Sequence, residues 1–341
     1  MNHVMKKNIF NIMLAFLAAM GLSSCVLHEE PERTADGELG VDPTQVTVNA
    51  EINLNVELPG TEEKIFAMPD TVMHRFVVEA YNREREVVNR QVLYSEDLEA
   101  TVFSLPVTMR LHASQYRIVV WSDYVRVSDP EAQLYYNADS LTPVINNGGY
   151  RGNSNAKDSY SGYVDLDLKQ YAKEWNAKIN TEIRLMRPMG RYELVTTDVK
   201  AFQHRLKEGS VKGTSFTARI KYAGYLAVGF NCYDQIRKHS LNYMTYTTRL
   251  RIPDDAQTLS IGFDYIFIAP DEKLDVPVEI EVVNENSETV SRSIVTLPVL
   301  QDMNTVVTGR FLTSTADGGL NIDPGYDGDD IIDLGTINPI R

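Results

Sequence analysis

Two cysteines carry all the thiol chemistry open to this 341-residue chain, and their settings differ. Cys25 closes the tetrad Leu22-Ser23-Ser24-Cys25, after Lys6, Lys7 and a short apolar run from Ile9 to Met20. A positive start, an apolar core and two small residues before a cysteine match the pattern of an exported-lipoprotein signal. Small side chains fit the narrow cleft of the signal peptidase, and the Cys25 thiol is the expected site of lipid attachment. The competing reading is an ordinary secretory signal with a chance cysteine at its end. The run is shorter than the roughly 20 apolar residues that a membrane-spanning helix needs. Cys232 lies beside Phe230 and Tyr233 and reads as a small buried hydrophobe. With Cys25 lipidated it has no partner, so no disulfide is expected, although an exported address permits one.

The other side chains with chemical potential do not assemble into a known pattern. The six histidines (His3, His28, His74, His112, His204, His239) are scattered, with no H-E-x-x-H pair. No G-x-S-x-G elbow, phosphate-binding loop or G-x-G-x-x-G occurs. Asp165 and Asp167 stand two apart on a predicted strand and share a face, the usual pattern of a solvated surface. Asp323-Pro324-Gly325-Tyr326-Asp327-Gly328-Asp329-Asp330 offers hard oxygens for calcium but lacks the spacing and closing glutamate of an EF-hand. Trp121 and Trp175 suit a glycan platform or, more commonly, core and rim packing. The expectation is a chain that is not an enzyme, with no metal and no cofactor. A net charge of −14, which loss of Lys6 and Lys7 makes more negative, gives no footing for nucleic acid.

The elements that would position these residues are strands. Removing residues 1–24 leaves chain enough for two domains of roughly 150 residues each. Residues 25–45 are polar and acidic without periodicity and read as a lipid-attached tether. Then Val46, Val48, Ala50, Ile52, Leu54, Val56 and Leu58 alternate with polar residues, which sends successive side chains to opposite faces of a half-buried strand. Strand patterns recur over 75–81, 107–111, 115–121, 216–222, 259–267, 276–283 and 293–300, separated by clusters such as Asn146-Asn147-Gly148-Gly149 and Pro253-Asp254-Asp255. Pro106 points to an edge or a strand start. Residues 168–179 fit a short helix or a hairpin excursion. The pattern predicts an all-β chain of antiparallel sandwiches, one over 46–182 and one over 183–315, with an acidic, Gly-rich tail over 316–341. No internal repeat is evident in the residues.

Several segments together resemble a family. They are Trp121-Ser122-Asp123-Tyr124, Arg187-Pro188-Met189-Gly190-Arg191-Tyr192, 222–231, Phe263-Asp264-Tyr265-Ile266-Phe267, 297–305 and Gly309-Arg310-Phe311-Leu312-Thr313. With the signal, the chain resembles the fimbrillin-like surface lipoproteins of Bacteroidetes. The resemblance implies two tandem transthyretin-like (Greek-key) β-sandwich domains and a role as subunit, tip or anchor of a surface fimbria. It also implies partners that are fimbrial subunits, joined by β-strand addition, and a membrane reached through lipid on Cys25. In stalk subunits of that family, cleavage after an Arg removes the first strand and opens a groove that a neighbour's C-terminal strand fills.

Here the exchanged strand would be the one holding Val46, Val48, Ile52, Leu54 and Val56, and the candidate donor strand holds Ile331, Ile332 and Leu334. Cutting after Arg33 leaves the first strand in place, and only Arg75 or Arg83 would remove it. That argues for an anchor or accessory subunit. Glu29 and Glu30, behind Cys25, fit export to the outer face of the outer membrane, or a plain solvated linker. The alternative role is a surface lipoprotein that binds a glycan or a host protein.

Overall fold

The alternation read in residues 46–58 becomes β1 (Thr47–Glu57), with Val48, Ala50, Ile52, Leu54 and Val56 turned to one side and buried. The computed structural model describes residues 47–58, 71–100, 102–174, 176–314 and 338–339. Val46, Cys25, the tether and Ile331, Ile332 and Leu334 lie outside the described residues, as does the aspartate cluster 323–330.

The chain continues through β2 (Val72–Tyr81), β3 (Val87–Ser95), β4 (Val102–His112), β5 (Gln115–Arg126), β6 (Tyr136–Asn137), β7 (Val144–Asn146), β8 (Tyr160–Asp167) and β9 (Asn176–Arg184). β1 lies at the centre of a three-stranded sheet of order β4-β1-β9, and a four-stranded sheet runs β3-β2-β5-β8. Alternate residues of both sheets meet in one core: Ile52, Leu54 and Met109 from the first, Phe76, Ile118 and Val120 from the second. This is a sandwich. Pro106 sits mid-strand in β4, opposite Asn53, on an edge strand where its missing N–H interrupts no outer ladder.

From residue 189 the same arrangement returns. The elements are β10 (Met189–Thr196), α1 (Val199–Lys207), β11 (Phe216–Tyr222), β12 (Leu226–Asn231), β13 (Ile236–Leu241), β14 (Thr245–Leu250), β15 (Leu259–Phe267), β16 (Lys273–Asn284), β17 (Thr289–Leu300), β18 (Met303–Gly309) and β19 (Asn338–Pro339). β10 is antiparallel to β15 and parallel to β18, as β1 is antiparallel to β4 and parallel to β9. The order β14-β11-β16-β17 repeats β3-β2-β5-β8. A repeat therefore exists in strand order, although the residues do not display it. Apart from these two parallel ladders, the strand pairs among the described residues are antiparallel.

The insertions differ between the halves. β6 and β7 interrupt the first half between β5 and β8; α1, β12 and β13 interrupt the second. They do not stay apart: β13-β12-β7-β6 form one sheet, with Gly229 opposite Ile145 and Phe230 opposite Val144. This sheet, mixed in that it draws strands from both halves, covers the outer face of β2 and β5, burying Val77, Val119 and Trp121 against its Tyr136 and Phe230 and against Phe267 of β15. Hence β2 is buried along its whole length, on both faces. The boundary expected at 182/183 falls inside β9, whose pairing with β1 runs to Arg184.

Residues 168–179 hold one short 3₁₀ turn, Lys169–Tyr171, and then enter β9. The one α-helix among the described residues, α1, lay outside the sequence expectation; it buries Val199 and Phe202 with a single apolar stripe.

Candidate functional site

β1 holds the described members of the expected exchange strand. Val48, Ile52, Leu54 and Val56 are all buried in the first core, and each such side chain contributes roughly 1.5–3 kcal/mol relative to exposure. Along its full length β1 hydrogen-bonds to β4, from Thr47 opposite His112 to Glu57 opposite Val102. On its other side it pairs with β9 from Asn49 to Glu57. Its outward face is polar: Asn49 Nδ2 donates to Asn176 Oδ1 at 3.2 Å, and Ser104 Oγ donates to Asn53 Oδ1 at 2.7 Å. Withdrawing β1 would uncover the apolar floor and break two ladders together.

The arginines around β1 have definite places. No Arg lies between Arg33 and Arg75. Arg75 is buried in β2, and its guanidinium donates to Asp123 Oδ1 at 2.8 Å, to Asp123 Oδ2 at 2.5 Å and to Gln133 Oε1 at 2.7 Å. Burial pushes the Asp123 carboxyl up, and Arg75 pulls it back. Arg83 is exposed in the β2–β3 turn, so a cut after it would take away β2 together with β1. β19 lies antiparallel on the outer edge of β18, with Asn338 opposite Asn304 and Pro339 opposite Met303.

The remaining candidates separate in space. Cys232 is buried, and burial pushes its thiol pKa up, which removes it as a nucleophile at neutral pH. Asp165 and Asp167 do share an exposed face of β8; Asp165 takes Arg117 in a two-bond pair, and Asp167 accepts from Gln115. Trp121 is fully buried in the mixed-sheet core and cannot serve as a platform, while the Trp175 side chain lies outside the described residues. His74 is buried among Phe76, Phe103 and Tyr124, which lowers its pKa to about 4. His112, His204 and His239 are exposed. Among the described residues no group of His, Cys, Asp and Glu is placed to hold a metal ion, and no helix is long and apolar enough to cross a membrane.

Two features escaped the sequence reading. An open cleft of about 440 Å³ runs along β13, lined by Ile236, Arg237, Lys238, His239 and Glu272, of which Arg237 and Glu272 form an ion pair. Beside the β12–β13 hairpin, Tyr225 and Tyr243 are each 78% exposed. The Tyr222 N–H bond to the Met244 carbonyl and the Leu226–Leu241 pairing bracket both tyrosines at one end of that hairpin. The signal was a Tyr beside Gly224 and another beside Asn242, aromatics in turn positions where burial is not expected.

Solved structures similar to the chain include the fimbrial anchor protein Mfa2 from Porphyromonas gingivalis, at 10% identity and a TM-score of 0.41, covering 76% of this chain and 90% of that one. A fimbrial assembly protein from Parabacteroides distasonis is similar at 12% identity and a TM-score of 0.38, covering 80% of this chain and 94% of that one. Scores of that size carry no functional assignment. No curated protein matches the chain in sequence. A family model does match, over residues 43–338, and by that match the chain belongs to the family of unknown function DUF6562.

Proposed function

We propose that this chain is a non-catalytic, surface-exposed outer-membrane lipoprotein, held by lipid on Cys25, that anchors a fimbria-like fibre or serves it as an accessory subunit. The observation that carries the reading is the place of β1. It is the first of the described strands, and it is the central strand of its sheet. A pull on the N-terminal end of β1 directed along the strand loads both ladders in shear, their bonds together rather than one by one. A strand destined for removal would need an accessible cleavage site on its C-terminal side. The only Arg available there before Arg83 is Arg75, which is buried and paired.

In this reading the two sandwiches are tandem domains, and subunits join the anchor by strand addition at a sheet edge. The β18 edge, where the chain's own short β19 lies antiparallel, is one such place. The signal residues and the place of β1 support this reading. Its test is deletion of the gene, with fibres counted on cells and in the medium by electron microscopy. Fibres released into the medium support the anchor; fibres retained at the surface as before remove it.

One observation favours a second reading, a glycan- or host-protein-binding lipoprotein. Tyr225 and Tyr243 present two aromatic faces to solvent at one end of a hairpin, a surface that suits sugar rings or a protein partner. An array of soluble glycans separates the readings, because an anchor leaves it blank.

A further inference from the structure

Asp264 on β15 has no exposure to solvent, and neither has Lys157, to within a few per cent, at the end of the 3₁₀ turn Asn155–Lys157. Lys157 belongs to the first half of the chain and Asp264 to the second, 107 residues on. Lys157 Nζ lies 2.5 Å from Asp264 Oδ1, which also accepts the Tyr265 N–H at 2.8 Å. The other carboxyl oxygen, Oδ2, accepts two phenol hydroxyls, from Tyr150 at 2.5 Å and from Tyr222 at 2.7 Å. The Tyr150 ring stands against the amine, 4.3 Å from Nζ to its centre, and its hydroxyl lies 3.3 Å from Nζ. The Nζ–Oδ1 contact sets the amine nitrogen beside the carboxyl carbon that it would attack.

From this geometry we infer that Lys157 and Asp264 condense into an amide, a covalent bond between the two halves of the chain. The atoms balance without oxidant, reductant or co-reactant. The Nζ lone pair bonds to Cγ, Oδ1 leaves as water, and Oδ2 stays as the amide carbonyl. Counted on the ion pair, two of the three Nζ protons leave in that water and the third stays as the amide N–H. As negative charge gathers on Oδ2 in the tetrahedral intermediate, the Tyr150 and Tyr222 hydroxyls are aimed at it, as donors in an oxyanion hole are. Burial, with Arg151 nearby, lowers the Lys157 pKa, which favours the free amine that must attack. Two desolvated charges are costly to keep in such a site, whereas an amide keeps the tyrosine hydrogen bonds and carries none. Fixed placement of amine and carboxyl supplies an effective concentration on the order of 10⁵ M or more. The enclosure that holds water out also opposes the reverse hydrolysis.

The inference stands apart from the anchor reading, and its test involves no fibre. Purified full-length protein is denatured, digested with trypsin and examined by tandem mass spectrometry. The expected product is a branched peptide, 152–169 joined to 252–273, lighter than the two linear peptides together by one water and uncut after Lys157. In Lys157→Arg, which keeps the positive charge but cannot form the bond, both segments are expected as linear peptides. Recovery of linear 252–273 from the unaltered protein, with cleavage after a free Lys157, would overturn the inference.

Discussion

Arg75 and Asp123 face each other across the β2–β5 ladder, and the guanidinium of one clasps both carboxyl oxygens of the other. Both side chains are buried beneath the mixed sheet, where Gln133 and the Tyr136 carbonyl complete the shell. The pair has two consequences. It stabilises β2 against β5, and it shields the one Arg whose cleavage would detach β1 with the least further loss. Arg75→Ala leaves Asp123 buried without its cation, and unfolding free energy is expected to fall by about 3–5 kcal/mol in urea titration. Limited digestion with an Arg-specific protease should leave the Arg75–Phe76 bond intact while the fold persists.

Truncations in β1 should divide by face. Leu54→Ala empties part of the first core and is expected to cost about 2–5 kcal/mol, measured by the same titration. Asn55→Ala, on the outward face, is expected to change stability by about 0.5 kcal/mol or less.

His74 should make stability depend on pH. Its pKa is about 4 in the folded protein, lowered first by burial and partly restored by Asp97, against 6.5 as the ordinary value. Between those pH values the unfolded chain binds more protons than the folded one, so stability falls as pH drops from 6.5 toward 4. It is full above that window, and the fall is about 3 kcal/mol at most. The slope should flatten in His74→Phe, as denaturation midpoints at several pH values would reveal.

Tyr225 and Tyr243 touch little of the core, so the Tyr225→Ala/Tyr243→Ala double variant should unfold within about 0.5 kcal/mol of the parent. If the chain binds a glycan or protein through this hairpin end, the same variant loses that binding. Retained binding would move the surface elsewhere.

Much of the fold was legible because period two is a local signal. β1 and β4 alternate cleanly, since one face of each meets the core and the other meets solvent. β11 and β15 match their expected spans residue for residue. β2 and β5 were harder, because the mixed sheet buries their second face and erases the alternation. That sheet was out of reach, since it joins short strands from both halves of the chain. The helix α1 is too short for its stripe of Val199 and Phe202 to stand out from strand grammar. The repeated strand order was hidden because only the pairing recurs, with insertions at different points. Of the candidate site, burial of the β1 residues was readable; the clasp on Arg75 and the Lys157–Asp264 contact were not, being spatial meetings of distant residues.

The most direct measurement of the anchor reading is fractionation of cells carrying Cys25→Ala, with the protein followed by antibody in membranes and medium. The expected result is loss of the protein from the outer membrane into soluble fractions, with fibres released alongside it. Membrane attachment unchanged in Cys25→Ala would contradict the lipid anchor and, with it, the proposed function.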